Sequence, residues 1–188
     1  MNIMRAGMQD LPDVCRIVRD ATRHMDERGI PQWDTIYPSE AILQHDIEKQ
    51  HMLLILVDGR TAGLVVVNEE ESAEYADILW HYSGKVMAVH RLTIDPAYQG
   101  RGLATKLMDF AEGMAATEGY RCIRLDAFTQ NAAAVALYEN RGYRRAGTGR
   151  FRKGLFFCYE KPIGPTGLED RREENGDLEP GIPAGETA

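Results

Sequence analysis

The sequence predicts an α+β chain, α/β/α-like in its layering, with a mixed, mostly antiparallel sheet of six to seven strands and about four helices. Three observations predict it. Short apolar, β-branched runs alternate with segments whose apolar residues recur at helical spacing. Asp58-Gly59 joins two of those runs, a strong signal for an antiparallel hairpin. One strand, helix, strand succession in the second half calls for a parallel pair with a crossover.

Residues 2–6 form the first strand. Asp10 stands at the N-cap position of a helix, Asp13 adds negative charge to its first turn, and Val14, Ile17, Val18, Ala21 and Met25 share one face. Gly29 stops it. Pro31 and Pro38 keep residues 30–38 out of any helix, and Ser39 caps a second helix running to about Gln50. Trp33 and Tyr37 in this aromatic loop either pin the two helices to the sheet or wall a pocket for an acceptor molecule. Residues 52–57 and 61–68 are the hairpin strands, and residues 69–84 a long acidic loop with Tyr75, Trp80, His81 and Tyr82, its acids a solvated edge. Residues 86–94 make the next strand, closed by Asp95-Pro96. Leu103, Leu107, Phe110, Ala111 and Met114 then mark the inner face of a helix that Gly119 ends. Residues 121–128 are a strand and 131–140 a helix. Residues 143–146 and 155–160 are terminal strands around a turn at 147–149.

With 188 residues and 44% hydrophobic content the chain can bury one sizeable core, expected over residues 1–161. Residues 162–188 hold seven acidic side chains against Arg171 and Arg172, so five of the seven net negative charges sit there. That segment has no aromatic residue and reads as a disordered acidic, Gly/Pro-rich tail. The remainder lacks the basic face that nucleic acid requires. No apolar run reaches the length of a membrane span or a signal core, which predicts a cytoplasmic protein without a membrane partner. Cys15, Cys122 and Cys158 are odd in number and lack metal-ligand spacing, so reduced thiols and no metal are expected.

The chemistry starts at Gln99-Gly100-Arg101-Gly102-Leu103-Ala104, between a strand and an amphipathic helix. The first N–H groups of a helix lack internal partners and carry the positive end of its dipole, and glycines leave that backbone bare for a phosphate. The nucleotide-binding loop G-x-x-x-x-G-K-[ST] does not fit, since Thr105, Lys106 and Leu107 fall where its last glycine, lysine and hydroxyl belong. The dinucleotide fingerprint fails too, because its third glycine would be Thr105. As it stands, Q-x-x-G-x-A resembles the pyrophosphate-binding motif of the GNAT superfamily of acyl-CoA-dependent N-acyltransferases.

A second motif strengthens the resemblance. Asn131 and Tyr138 lie two turns apart on one helix and face the same way, with Ala132, Ala133, Ala134 and Ala136 keeping it slim. Alone they read as a helix cap and a core tyrosine. Placed about thirty residues after the glycine turn and running on to Gly142-Tyr143, they look like the second GNAT motif, and Gly29-Ile-Pro-Gln-Trp33 resembles a loop of a bacterial GNAT subgroup. The resemblance spans roughly residues 3 to 161. It implies a splayed central strand pair, opened by a bulge in the fourth strand, whose gap the pantetheine arm of acetyl-CoA fills. Leu92, Thr93 and Ile94 would line that arm, with backbone bonds from Leu92 and Ile94. Gln99, Gly100, Arg101, Gly102, Leu103 and Ala104 would hold the pyrophosphate, Asn131 would contact the pantetheine, and the Tyr138 hydroxyl would protonate the departing thiolate.

The acceptor must be deprotonated, because an amine of pKa about 10.4 is neutral only about 0.04% of the time at pH 7. The position at which better-known family members place a base is Ala88 here. His90, two residues on and on the same strand face, is the candidate, a packed histidine with water as the proton carrier being the alternative. Trp33, Tyr37 and Trp80 are the candidate acceptor-binding residues, with His24 and His81 weaker ones. The expectation is an acetyl-CoA-dependent N-acetyltransferase acting by direct attack in a ternary complex, without metal, on a small-molecule primary amine. A peptide or protein amine is the alternative acceptor, and a non-catalytic acyl-CoA-binding module the alternative of another class. A homodimer is compatible with this reading.

Overall fold

Strands that are apolar at every position need cover on both faces, and the sheet is built that way. The computed structural model describes residues 1–164. Its seven strands are β1 (Asn2–Arg5), β2 (Met52–Val57), β3 (Arg60–Asn68), β4 (Val86–Ile94), β5 (Cys122–Phe128), β6 (Arg144–Phe151) and β7 (Gly154–Pro162). They lie in the order β1-β2-β3-β4-β5-β7-β6, antiparallel except for the parallel pair β4–β5. Four helices cover them: α1 (Leu11–Glu27), α2 (Glu40–Glu48), α3 (Leu103–Thr117) and α4 (Ala132–Asn140).

Alternate residues of β2 and β3 point into two cores. Met52, Leu54, Leu64 and Val66 pack with Val14, Ile17 and Val18 of α1 and Leu43 and Ile47 of α2. Leu53, Ile55, Val65 and Val67 pack with Leu103, Leu107, Met108 and Ala111 of α3 and with Tyr138 of α4. The β2–β3 turn takes left-handed backbone at Asp58 (φ 51°) and Gly59 (φ 76°), as a two-residue hairpin of this sequence should. Ser39 caps α2 by accepting the Ile42 N–H, and Gly29 leaves α1 with φ 72°.

The element map predicted from sequence holds, with local corrections. Asp10 occupies the N-cap position of α1 in helical backbone, and its carboxylate instead accepts the Gly7 N–H at 2.9 Å, closing a short 3₁₀ turn. Phe110 faces solvent at 41% exposure, because the buried stripe of α3 runs through Leu103, Leu107, Ala111 and Ala115 with Met108 beside it. The β6–β7 turn falls at Arg152-Lys153, not at 147–149. Gly147 and Gly149 lie inside β6, next to a register shift at Arg145/Gly147, where a Cβ on Gly149 would come within 2.8 Å of the Phe151 ring. Strand β7 reaches Pro162, one residue into the expected tail, and the rest of that tail from residue 165 lies outside the described residues. Among the described residues no helix is long and apolar enough to cross a membrane, and no cluster of three His, Cys, Asp or Glu side chains is placed to hold a metal ion.

Candidate active site

A break in the sheet defines the site. Strand β4 pairs with β5 only through Val86, Met87 and Ala88, opposite Cys122, Ile123 and Arg124; beyond Ala88 the two part. The distortion is visible on the other side of β4, where Val66 of β3 faces His90 but Leu64 faces Thr93, leaving Arg91 and Leu92 opposite Val65. This is a β-bulge. Arg91 takes left-handed backbone, φ 52°, which a side chain that long adopts only when its surroundings compel it. Here they do. Its Nε and Nη2 lie 3.1 and 3.3 Å from the Asp46 carboxylate of α2, its guanidinium sits over the Tyr37 ring, and the Thr93 hydroxyl donates to the Arg91 carbonyl at 2.8 Å. Asp46 is 2% exposed, and burial holds its carboxyl above the usual range despite Arg91 beside it.

The glycine turn follows directly. Gln99 donates through Nε2 to the Ile94 carbonyl, which ties the turn to the end of β4. Gly100 and Gly102 have φ of 74° and 73°, and no atom lies within 4 Å of where a Cβ would stand on either. No side chain caps α3, and among the described residues the N–H groups of Leu103, Ala104 and Thr105 have no acceptor. These are bare, convergent donors at the positive end of a 15-residue helix. Arg101 is turned elsewhere: it donates to the Ala97 carbonyl and lies over the Tyr98 ring.

One cleft of about 850 Å³ joins this turn to the parted strands and to α4. Gln99, Gly100, Gly102, Leu103 and Ala104 line it with Leu92, Thr93 and Ile94 of β4, Asn131, and Tyr138. The residues present therefore suit a coenzyme A: unpartnered amides for a diphosphate, an open strand edge for the arm, and a volume in the ordinary range for a ligand site. Asn131 caps α4 through its Oδ1, which accepts the Ala134 N–H, while its Nδ2 donates to Gln32 Oε1 of the aromatic loop at 2.9 Å. Tyr138 is 6% exposed, and burial, with the Asp126 charge nearby, pushes its hydroxyl well above the usual phenol range. It stays a proton donor.

The same cleft is walled by Trp33 and Tyr37, together with His24 of α1. Trp33 serves two purposes at once, since it is also part of the α1–α2 core. Asp34 straps this loop to the β6–β7 turn: Arg152 binds both carboxylate oxygens at 2.8 Å and Lys153 one at 3.3 Å, which keeps the Asp34 carboxyl well below its ordinary range. His90 faces the same cleft. Its Nε2 lies 3.1 Å from Asn68 Oδ1 and 3.0 Å from the Glu70 carbonyl oxygen, so Nε2 carries the hydrogen and Nδ1 the lone pair. Burial, and then Arg91, push its pKa down to about 4.

Two further placements differ from expectation. Trp80 does not line the cleft; it packs edge-on against Tyr75 and under the Arg124 guanidinium, 4.3 Å from its ring. Nor does His81, which is held by the buried Glu160 carboxylate. Asp126, unremarked in the sequence, lines the cleft from β5. Its signal was there, since Arg124 and Asp126 are polar residues alternating with Ile123, Leu125 and Ala127 in a central strand.

A family described as Acetyltransferase (GNAT) family matches residues 12–143. The chain is 41% identical over 66 residues to N-alpha-acetyltransferase RimI of Mycobacterium tuberculosis, a match covering 33% of this chain and 37% of that protein, so it spans just over a third of the relative's length. The crystal structure of a GNAT-family acetyltransferase from Streptococcus agalactiae superposes with a TM-score of 0.75 at 22% identity, over 87% of this chain and 95% of that one. The structure of yncA from Salmonella typhimurium with its cofactor acetyl-CoA gives 0.67 at 17% identity, over 90% and 98%. At these identities the two structures speak for a shared fold.

Proposed function

We propose, from the premise that this chain belongs to the GNAT acetyltransferase family, that it moves an acetyl group from acetyl-CoA to a primary amine of a small molecule, by direct attack in a ternary complex. The observation that carries this reading is the single cleft that unites an uncapped glycine turn, a parted β4–β5 pair and the Tyr138 hydroxyl. Amides of residues 100–104 bind the diphosphate, and Gln99 holds their turn in place. Backbone groups of Leu92 and Ile94 align the arm, with Thr93 fixing the bulge beneath it and Asn131 at its flank. Bound acetyl-CoA supplies a thioester carbonyl for the amine to attack.

The chain's own residues then manage two protons. Tyr138, held neutral by its surroundings, donates to the leaving sulfur. The amine must lose a proton first, and two titratable groups of the cleft wall can take it, His90 on β4 and Asp126 on β5. No covalent acyl-enzyme is needed. Cys122 and Cys158 are buried with thiols pushed up to about 12, so neither supplies a thiolate at neutral pH.

A compact acceptor suits the strapped loop, because Asp34, Arg152 and Lys153 join the rims of the acceptor end. A peptide N-terminus is the second reading, favoured by the partial identity to RimI, an N-alpha-acetyltransferase. A panel of small amines and short peptides, followed by release of free thiol from acetyl-CoA, tests both. Tyr138→Phe is expected to lower kcat by about 100-fold or more with CoA affinity retained. Wild-type protein that binds CoA but consumes no acetyl-CoA with any acceptor of the panel would mark it as a binding module instead.

A further inference from the structure

Asp126 is the one carboxylate among the described residues that stands on β5 in the gap left by β4. It lies two residues past Arg124, the last β5 residue paired with β4. Its Oδ2 accepts the Tyr75 hydroxyl at 2.8 Å, and its Oδ1 has no hydrogen-bond partner among the described residues. Tyr75 itself is 3% exposed and comes from the long loop between β3 and β4, so the carboxylate is oriented from behind and open in front. Tyr75 bonds it and Cys158 pairs opposite it on β7, and Glu74 from that loop, Arg91 from β4, Tyr37 from the aromatic loop and Tyr138 from α4 are near enough to couple to it electrostatically. It therefore sits between the acceptor wall and the group that serves the thioester.

We propose, building on the reading of the chain as an amine acetyltransferase, that Asp126 receives the acceptor: its free oxygen binds the ammonium group of a cationic primary amine and then takes one of its protons. The substrate class is thereby small aliphatic ammonium compounds, and not neutral hydroxyl acceptors. Burial raises the Asp126 carboxyl from 3.8 to about 6, against the Tyr75 hydrogen bond that lowers it. At pH 7.5 it is ionised, and it is a stronger base than His90 at about 4, whose Nε2 is already committed as a donor. His90 becomes a neutral wall.

The proton and electron count closes. One ammonium proton passes to Asp126, and the lone pair so freed forms the new bond to the carbonyl carbon. The carbon–sulfur bond breaks with its electron pair going to sulfur, which takes the Tyr138 proton. The nitrogen sheds a second proton to water, Tyr138 regains one from water, and Asp126 passes its own to solvent. One proton is released for each amide formed.

The test uses the full chain with Asp126→Asn, Tyr75→Phe and His90→Asn. Asp126→Asn is expected to bind CoA within about twofold of wild type by calorimetry while kcat/KM for whichever panel amine turns over falls about 100-fold or more. A carboxyl ¹³C resonance titrating near pH 6 in the substrate-free protein should vanish in Asp126→Asn. In Tyr75→Phe that resonance and the acid limb of kcat/KM should both move to higher pH, since the bond that favours the charged form is gone. His90→Asn should leave the limb in place. An acid limb that follows His90, or an Asp126→Asn enzyme with wild-type kcat/KM, overturns the role of Asp126 and leaves the transferase reading standing. Wild-type protein that turns over no amine at all removes that reading, and this proposal with it.

Discussion

Asp126→Asn should make the protein more stable while making it slower. A carboxyl whose folded pKa is raised is neutral in both states below about pH 4, and there it contributes nothing. As pH climbs from 4 toward 6, the unfolded chain ionises first while the folded chain keeps its proton, so folding is progressively penalised. Above about pH 6 the penalty is complete. Raising the group from 3.8 to about 6 corresponds, at about 1.36 kcal/mol per pH unit, to roughly 3 kcal/mol. Some of the side chain still touches solvent, so about 1 to 3 kcal/mol is the expected gain on substitution. Asparagine keeps the shape and can still accept the Tyr75 hydroxyl through its amide oxygen. Urea unfolding of both proteins at pH 8, 6 and 4 measures it. The variant should lead at pH 8 and converge with wild type at pH 4. A variant equal to or weaker than wild type at pH 8, or a gap that widens in acid, would refute the reasoning.

Two other perturbations separate the halves of the site. Gly102→Val places a β-branched side chain at φ 73°, costing about 1 to 2 kcal/mol of stability, and projects it into the open space before the α3 amides. CoA affinity by calorimetry should drop about tenfold or more, and an unchanged Kd would mean that the diphosphate lies elsewhere. Asp46→Ala leaves the Arg91 guanidinium buried without its partner, which is expected to cost about 3 to 5 kcal/mol in urea unfolding and to raise KM for acetyl-CoA as the bulge relaxes. A loss under about 1 kcal/mol would show that the bulge does not depend on this pair.

The sequence announces most of the architecture because local signals and tertiary demands agree. The apolar runs of β2 and β3, the Asp58-Gly59 turn, and the helix-opening glycines at 100 and 102 each dictate a backbone state that nothing in the fold opposes. Where the reading fails, two placements were equally good locally. Phe110 sits one position from Ala111, and periodicity alone cannot say which edge of the stripe is covered. Trp80 found an arginine and a tyrosine to pack on instead of a ligand pocket. Gly147 and Gly149 look like a turn but serve an edge strand that must lie close to Ile78 and Phe151. Asp126 was hidden for a different reason: in a fully zipped sheet it would be an isolated buried carboxylate, and only the parting of β4 from β5 gives it something to face.

That parting has a traceable physical cause. Two-against-one pairing at Val65 needs β4 to press inward just beyond it, and β3 allows this with Gly63, where a Cβ would stand 2.7 Å from the Thr93 carbonyl oxygen. It also needs a residue willing to hold left-handed backbone. Arginine is a poor choice on intrinsic grounds and a good one here, because only a long cation reaches Asp46 on α2 and covers Tyr37 on the aromatic loop. The strain at Arg91 is thus held by contacts from α2 and the aromatic loop, while the opening beside it lies between β4 and β5. Loop 30–38, which already touches Asn131 through Gln32 and the β6–β7 turn through Asp34, is therefore connected to the strand gap by hydrogen bonds and packing. A change that loosens that loop should widen or close the place for the thioester even though no loop atom bonds to it.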